Sequence, residues 1–322
     1  MTTFKALIHG PMMPLVIDVL SKAISVVKLW EQADPAAYLK EHGHKFQALV
    51  GGWRSKIDDA VFDQMPNLKI VSNFGVGYDM IDAAAAGRRG IIVTNSPDVL
   101  NEEVADTAMG LLLMTVRKLP QAERYLRAGK WLGEGNYPLS ASLAGRTMGI
   151  VGLGRIGKAI ARRAEAFGLK IAYFGRSKQA DVSFPYYSDL VAMARDVDIL
   201  MVIVPGGAAT QHLINRSVLE ALGTDGVLIN VARGTVVDET ALIDMLQKQQ
   251  ILGAGLDVFE HEPKVPQALL DLDNAVLLPH VGSGTHHTRG LMGNLVADNV
   301  LAMAAGKPPL TPVPETPWPP RG

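Results

Sequence analysis

Apolar residues run in short blocks along this chain, and between the blocks they return at helical spacing. In the first hundred residues the blocks fall at 4–8, 25–29, 48–50, 68–71 and 91–94. Blocks this short and this apolar suit strands buried on both faces. Residues 15–22 and 81–86 show the helical spacing between them. The alternation predicts a largely parallel sheet covered by helices on both faces. Residues 101–129 then read as one or two long helices. Asn101 can cap their start, Glu102 and Glu103 suit the first turn, and Ala105, Ala108, Met109, Leu112 and Leu113 make an apolar face. Residues 131–145, rich in Gly, Pro and Ser, read as an excursion.

A second alternation begins at Thr147, with strands at 148–151, 170–174, 199–204, 227–230, 253–258 and 275–278. Another helix covers 291–305, and the proline-rich tail, 311–322, reads as extended or disordered. The chain is therefore predicted to be α/β, with two Rossmann-like or flavodoxin-like domains built on parallel sheets. Residues 100–285 make the second domain. The last helix has no room there and returns to the first, which is then discontinuous: 1–99 and 286–322. Ligand would bind in the cleft between the domains, beyond the carboxyl ends of the strands.

Composition narrows this picture. At 322 residues and 48% hydrophobic, with mean hydropathy +0.15, the chain can fill two cores. Its 31 basic and 32 acidic residues leave a net charge of -1, so no global field recruits nucleic acid or an anionic membrane. Cysteine is absent, which excludes disulfides, thiolate metal sites and a cysteine nucleophile and fits a reducing cytoplasm. The first residues lack a signal-peptide pattern, and no apolar run nears the roughly 20 residues of a membrane span. A soluble, cytoplasmic protein is expected. His42, His44, His286 and His287 have no cysteine or clustered carboxylate beside them, so no metal site is expected.

The sharpest motif is Gly152-Leu153-Gly154-Arg155-Ile156-Gly157, between an apolar strand and an amphipathic helix. Strand, GxGxxG turn and helix form a dinucleotide-binding fingerprint, with the helix N-terminus facing the phosphates. A carboxylate normally ends the second strand to hold the ribose hydroxyls. Here Gly175-Arg176-Ser177-Lys178 follows instead. A guanidinium, a hydroxyl and an ammonium suit a 2′-phosphate, so NADP is preferred over NAD. The competing reading of this turn is a merely solvated basic loop. Asp181 stands too far past the strand to serve as the ribose ligand.

Three polar residues close later strands: Arg233, Glu262 and His280. Reduction of a 2-oxo acid needs each type. An Arg binds the carboxylate and polarises the ketone, an imidazolium gives the carbonyl its proton, and a carboxylate beside the imidazole fixes its tautomer and favours its charged form. Singly, each has a bland reading as a helix-end contact, a surface carboxylate or a loop histidine. Behind a GxGxxG unit, at successive strand ends, the catalytic reading prevails.

These stretches resemble the D-isomer-specific 2-hydroxyacid dehydrogenase family over nearly the whole length. The resemblance rests on Val71-Ser72-Asn73-Phe74-Gly75-Val76-Gly77-Tyr78-Asp79, on Asn95-Ser96-Pro97-Asp98-Val99-Leu100, and on Glu103-Val104-Ala105-Asp106. It continues through the glycine loop, Asn230-Val231-Ala232-Arg233-Gly234, Gly255-Leu256-Asp257-Val258-Phe259-Glu260, Glu262-Pro263 and Pro279-His280. The basic turn and Tyr186-Tyr187-Ser188-Asp189-Leu190 resemble its NADPH-preferring glyoxylate and hydroxypyruvate reductases. Ala232 and Gly284 depart from the commoner residues.

The resemblance implies catalysis by Arg233, Glu262 and His280. It implies a cofactor site of Gly152, Gly154, Arg155, Ile156, Gly157, Arg176, Ser177, Lys178, Val204, Pro205, Thr210, Val231, Ala232, Asp257 and Gly282. Asp257 would accept from the nicotinamide carboxamide. The amides of Val76 and Gly77 would hold the substrate carboxylate with Arg233, and Trp53 would line the pocket or pack in the core. It also implies a homodimer through residues 101–130 and the excursion, with Trp131 at the interface. The reading is NADPH-dependent reduction of glyoxylate or hydroxypyruvate to the D-2-hydroxy acid. The alternative is a dinucleotide-sensing, corepressor-like binding protein of the same fold. Against it stand the complete catalytic set, the short tail and the lack of an extra interaction region.

Overall fold

Short strands that are apolar on both faces stack into two all-parallel sheets. The structure is a computed structural model and describes residues 4–51 and 56–320. The chain divides into two compact units, Met1–Leu100 with Thr285–Gly322, and Asn101–Gly284.

The first unit holds β1 (Lys5–Ile8), β2 (Ser25–Lys28), β3 (Ala48–Gly51), β4 (Ile70–Asn73) and β5 (Ile92–Thr94), in the order β2-β1-β3-β4-β5. Leu7, Leu49, Val71 and Val93 meet Phe46, Ile57, Phe62 and Met65 in one core. Full burial of side chains this size stabilises by roughly 1.5–3 kcal/mol each before entropy is counted. The register sets Gly51 beside Asn73 and Ser72 beside Thr94. Asn73 and Asn95 therefore leave neighbouring strands at the same edge.

The last helix, His286–Ala304, packs on Pro14–Ser21 and on β4. It starts five positions before the predicted 291. Thr285 caps it, its hydroxyl oxygen accepting the Thr288 N–H at 3.0 Å. The first turn is polar, so apolar periodicity could not reveal it. The proline-rich tail is extended and docked. Pro312 bridges Thr94, Val313 N–H donates to the Val93 carbonyl at 2.9 Å, and Val93 N–H donates to Thr316 Oγ1 at 2.8 Å. The tail covers β5, which would otherwise be an open sheet edge.

The second unit holds β6 (Thr147–Val151), β7 (Lys170–Phe174), β8 (Tyr186–Tyr187), β9 (Ile199–Val202), β10 (Val227–Asn230), β11 (Gly253–Leu256) and β12 (Ala275–Leu277). Their order is β12-β11-β10-β9-β6-β7-β8. Strand β8 is two residues long, too short for any periodicity to show. Strands β9 and β11 end two residues short of the predicted bounds, where the chain turns into loops. The stretch 101–129 holds two helices, Asn101–Arg117 and Leu119–Arg127, and a further short helix, Lys130–Glu134, opens what the sequence predicts as an excursion. Lys118 adopts a left-handed conformation, φ 50°, with Pro120 just beyond it, and this breaks the first helix from the second.

Candidate active site

Strand β6 pairs with β7 on one side and β9 on the other, so the sheet order reverses there. In open α/β sheets that reversal opens a crevice at the carboxyl ends, and the glycine loop occupies it. Gly152 has φ 102°, and a Cβ on it would come 2.7 Å from the Ile203 carbonyl oxygen. A Cβ on Gly157 would come 2.3 Å from the Gly152 carbonyl oxygen, so the helix Arg155–Ala166 closes on the turn only with glycine there. At Gly154 a Cβ would meet nothing within 4 Å. That glycine leaves room on the ligand side, at the positive end of a twelve-residue helix. Arg155 is exposed and Ile156 half-buried at this end. Val204 lies against the turn, its Cγ1 2.8 Å from the Cβ position of Gly152. Thr210 donates its hydroxyl to the Pro205 carbonyl at 2.7 Å and closes that loop on itself.

Arg176, Ser177 and Lys178 are exposed beyond β7. Gln179 ties their turn to the glycine loop: its side-chain amide donates to the Leu153 carbonyl at 2.7 Å, and its backbone N–H donates to Tyr173 Oη at 2.7 Å. Asp181 is ion-paired with Lys158 at 2.6 Å, a contact that holds its carboxyl below the usual carboxylate range. The first carboxylate after the basic turn in the chain is thus occupied. An open glycine, a helix N-terminus and three exposed polar or cationic side chains fit a dinucleotide bearing a 2′-phosphate. Sequence reading missed Gln179, because no local pattern distinguishes a loop glutamine that folds back.

The three candidate reacting groups follow β10, β11 and β12, which are adjacent in the sheet. His280 Nδ1 lies 2.7 Å from Glu262 Oε2, with the side chains 29% and 25% exposed. The other Glu262 oxygen accepts the Phe259 N–H at 3.1 Å. Burial is the largest influence on the Glu262 carboxyl and raises its pKa. His280, the Phe259 amide and the Arg233 guanidinium together outweigh it, and the pKa falls below the ordinary value. Arg233 donates to the Ala232 carbonyl at 2.8 Å, and its charge reaches Glu262.

Buried polar side chains hold these loops. Asn230, 1% exposed, accepts the Ala232 N–H at 3.0 Å and donates to the Arg233 carbonyl at 3.0 Å. Val231 and Ala232 are buried beneath Arg233. Asp257, 2% exposed, accepts Val281 N–H and Gly282 N–H at 2.7 Å each, one per carboxylate oxygen. Burial pushes its carboxyl up, and the two amides and His280 pull the other way. The residue expected to meet the nicotinamide therefore grips the histidine loop as well. That grip supports His280, which has the left-handed φ of 55° that non-glycine residues seldom adopt.

In the first unit, β4 ends at Asn73 and the chain turns through Gly75, Val76 and Gly77, all partly exposed. Asn73 Nδ2 donates to the Gly75 and Gly77 carbonyls at 3.0 and 2.9 Å, and Asn95 Nδ2 donates to the Val76 carbonyl at 2.8 Å. The Arg289 guanidinium lies 5.7 Å from the Phe74 ring centroid, beside this turn. In the sequence Arg289 stands just before the predicted helix 291–305, with nothing to single it out. Trp53 lies outside the described residues.

The profile of the D-isomer specific 2-hydroxyacid dehydrogenase NAD-binding domain matches residues 109–282. Glyoxylate/hydroxypyruvate reductase A of Arabidopsis thaliana is 45% identical over 313 residues, covering 97% of this chain and 100% of its own. Hydroxyphenylpyruvate reductase of Plectranthus scutellarioides is 44% identical with the same coverage. The crystal structure of the NADPH-dependent glyoxylate/hydroxypyruvate reductase of Sinorhizobium meliloti, in complex with NADP and malonate, superposes with a TM-score of 0.94. It is 51% identical and covers 100% of both chains.

Proposed function

Because the chain belongs to the D-isomer-specific 2-hydroxyacid dehydrogenase family, we propose that it reduces a small 2-oxo acid, glyoxylate or hydroxypyruvate, to the D-2-hydroxy acid with NADPH. The observation that carries this reading is the Glu262–His280 pair at 2.7 Å within the charge field of Arg233, in the unit whose glycine loop is flanked by an exposed cationic turn. NADPH, when bound, supplies the hydride. Arg233 binds the substrate carboxylate and polarises the carbonyl. The amides of Val76 and Gly77 take the same carboxylate. As the carbonyl carbon gains the hydride, its oxygen takes the proton from His280, and an alcohol results. Glu262, kept ionised, holds the imidazole in the donating tautomer. Arg176, Ser177 and Lys178 bind the 2′-phosphate, and Gln179 braces their turn.

The protein works as a homodimer in this reading. Trp131 is 61%, Leu132 97% and Leu139 101% exposed, an apolar patch suited to a second copy.

The test is a steady-state screen of glyoxylate, hydroxypyruvate, pyruvate and 4-hydroxyphenylpyruvate, each with NADPH and NADH. The bulky substrate is included because one relative is named for it. The highest kcat/KM is expected for glyoxylate or hydroxypyruvate with NADPH. Binding of NADPH without turnover of any 2-oxo acid would favour the dinucleotide-sensing alternative and overturn this reading.

A further inference from the structure

The turn after β4 has all three of its carbonyls taken from behind. Asn73 Nδ2 holds Gly75 O and Gly77 O, and Asn95 Nδ2 holds Val76 O. Ser96 N–H adds a second bond to Gly75 O at 2.9 Å. In a planar trans peptide the C=O and the following N–H point in opposite directions. Fixing the Gly75 and Val76 carbonyls inward therefore aims the N–H groups of Val76 and Gly77 the other way. Among the described residues neither amide has an acceptor. Successive outward amides make an anion-binding concavity, and one held rigid loses little orientation entropy when the anion arrives.

The two asparagines are themselves held. Asn73 is 1% exposed at the end of a fully buried strand. The Asn95 carbonyl accepts the Thr311 hydroxyl at 2.6 Å, and Thr311 Oγ1 accepts from Asn299 Nδ2 at 3.0 Å. A chain of hydrogen bonds thus runs from the last helix through the tail to the turn. We infer that Asn73 and Asn95 are positioning residues that aim the Val76 and Gly77 amides at the substrate carboxylate, and so set the enzyme's selectivity for 2-oxo acids over uncharged carbonyls. The inference rests on the function proposed above.

The experiment compares wild type with Asn73→Ala, Asn95→Ala and the near-isosteric Asn95→Asp, which accepts where asparagine donates. Glyoxylate and glycolaldehyde, which lacks the carboxylate, serve as substrates with NADPH. Malonate titration by calorimetry reads anion binding without turnover, and NADPH titration reads the cofactor site. In the variants KM for glyoxylate should rise by about tenfold or more, while kcat falls by a smaller factor. Malonate affinity should drop in parallel, NADPH affinity should hold, and the preference for glyoxylate over glycolaldehyde should shrink. Wild-type KM and malonate affinity in folded Asn95→Asp would overturn the inference. So would a uniform loss for both substrates, which marks a merely structural role. If Asn73→Ala fails to fold, Asn95→Asp decides alone. If wild type turns over no 2-oxo acid, the proposed function falls, and malonate binding by the wild type and Asn95→Asp still decides the asparagines' role.

Discussion

At the scale of single residues the proposed chemistry turns on His280, Glu262 and Arg176. Replacing His280 with Ala removes the proposed proton donor and should lower kcat by about 10²–10⁴-fold, measured as NADPH oxidation with saturating glyoxylate. Glu262 has a lowered pKa, so it remains an anion throughout the neutral range and protonates only below the ordinary carboxylate value. On the acid side kcat/KM of the wild type should therefore fall only once the pH drops below the ordinary carboxylate range, and Glu262→Gln, which cannot titrate, should show a lower plateau without that acid limb in a pH–rate profile. An acid limb unchanged in Glu262→Gln would remove Glu262 from this role. Arg176→Asp should raise KM for NADPH far more than for NADH, because a carboxylate repels the 2′-phosphate. The types of these residues and their order along the chain are legible in the sequence alone. That Asp257 grips Val281 and Gly282, and that Lys158 occupies Asp181, is not, since these partners lie 24, 25 and 23 positions away.

At the scale of elements the site is a set of strand ends kept in register by small contacts. Gly234, beside Arg233, packs on the Phe259–Glu260 peptide so closely that a Cβ would fall 1.8 Å from the Phe259 carbonyl carbon. Phe259 N–H in turn holds Glu262. Gly234→Ala should therefore displace the loops after β10 and β11 against each other. A loss of about 1–3 kcal/mol in denaturant unfolding and a lower kcat are expected. The strands themselves were readable because short apolar runs between helical patterns have few other solutions. Some elements escaped, among them the helix Lys130–Glu134 within the predicted excursion. Strand β8 has two residues, and the first turn of the last helix is polar. Periodicity needs several residues on an apolar face, and neither supplies them.

For the whole molecule, the exposed apolar surface of residues 131–139 carries the prediction. A homodimer is expected in sedimentation or light scattering. Leu132→Asp combined with Leu139→Asp should shift it to monomer, because both side chains are almost fully exposed in the single chain and substitution leaves its cores intact. A wild-type monomer at micromolar concentration would refute the assembly.

The last helix and the tail show where sequence reading stops. Their composition marks one as helical and the other as proline-rich and unable to build a core. That the tail lies along β5 and braces Asn95 through Thr311 depends on a sheet edge some 200 residues earlier. Local physics, in propensity, periodicity and motif chemistry, was enough for the α/β class, the glycine loop, the cationic turn and the choice of Arg233, Glu262 and His280 as candidates. Each of these is set by neighbours within a few residues. The aim of each group was decided by contacts across many. Asn73, Asn230 and Asp257 are ordinary polar letters until strand register brings each to a buried end, and Asn95 to a half-buried one, where the backbone groups of the following loop need partners.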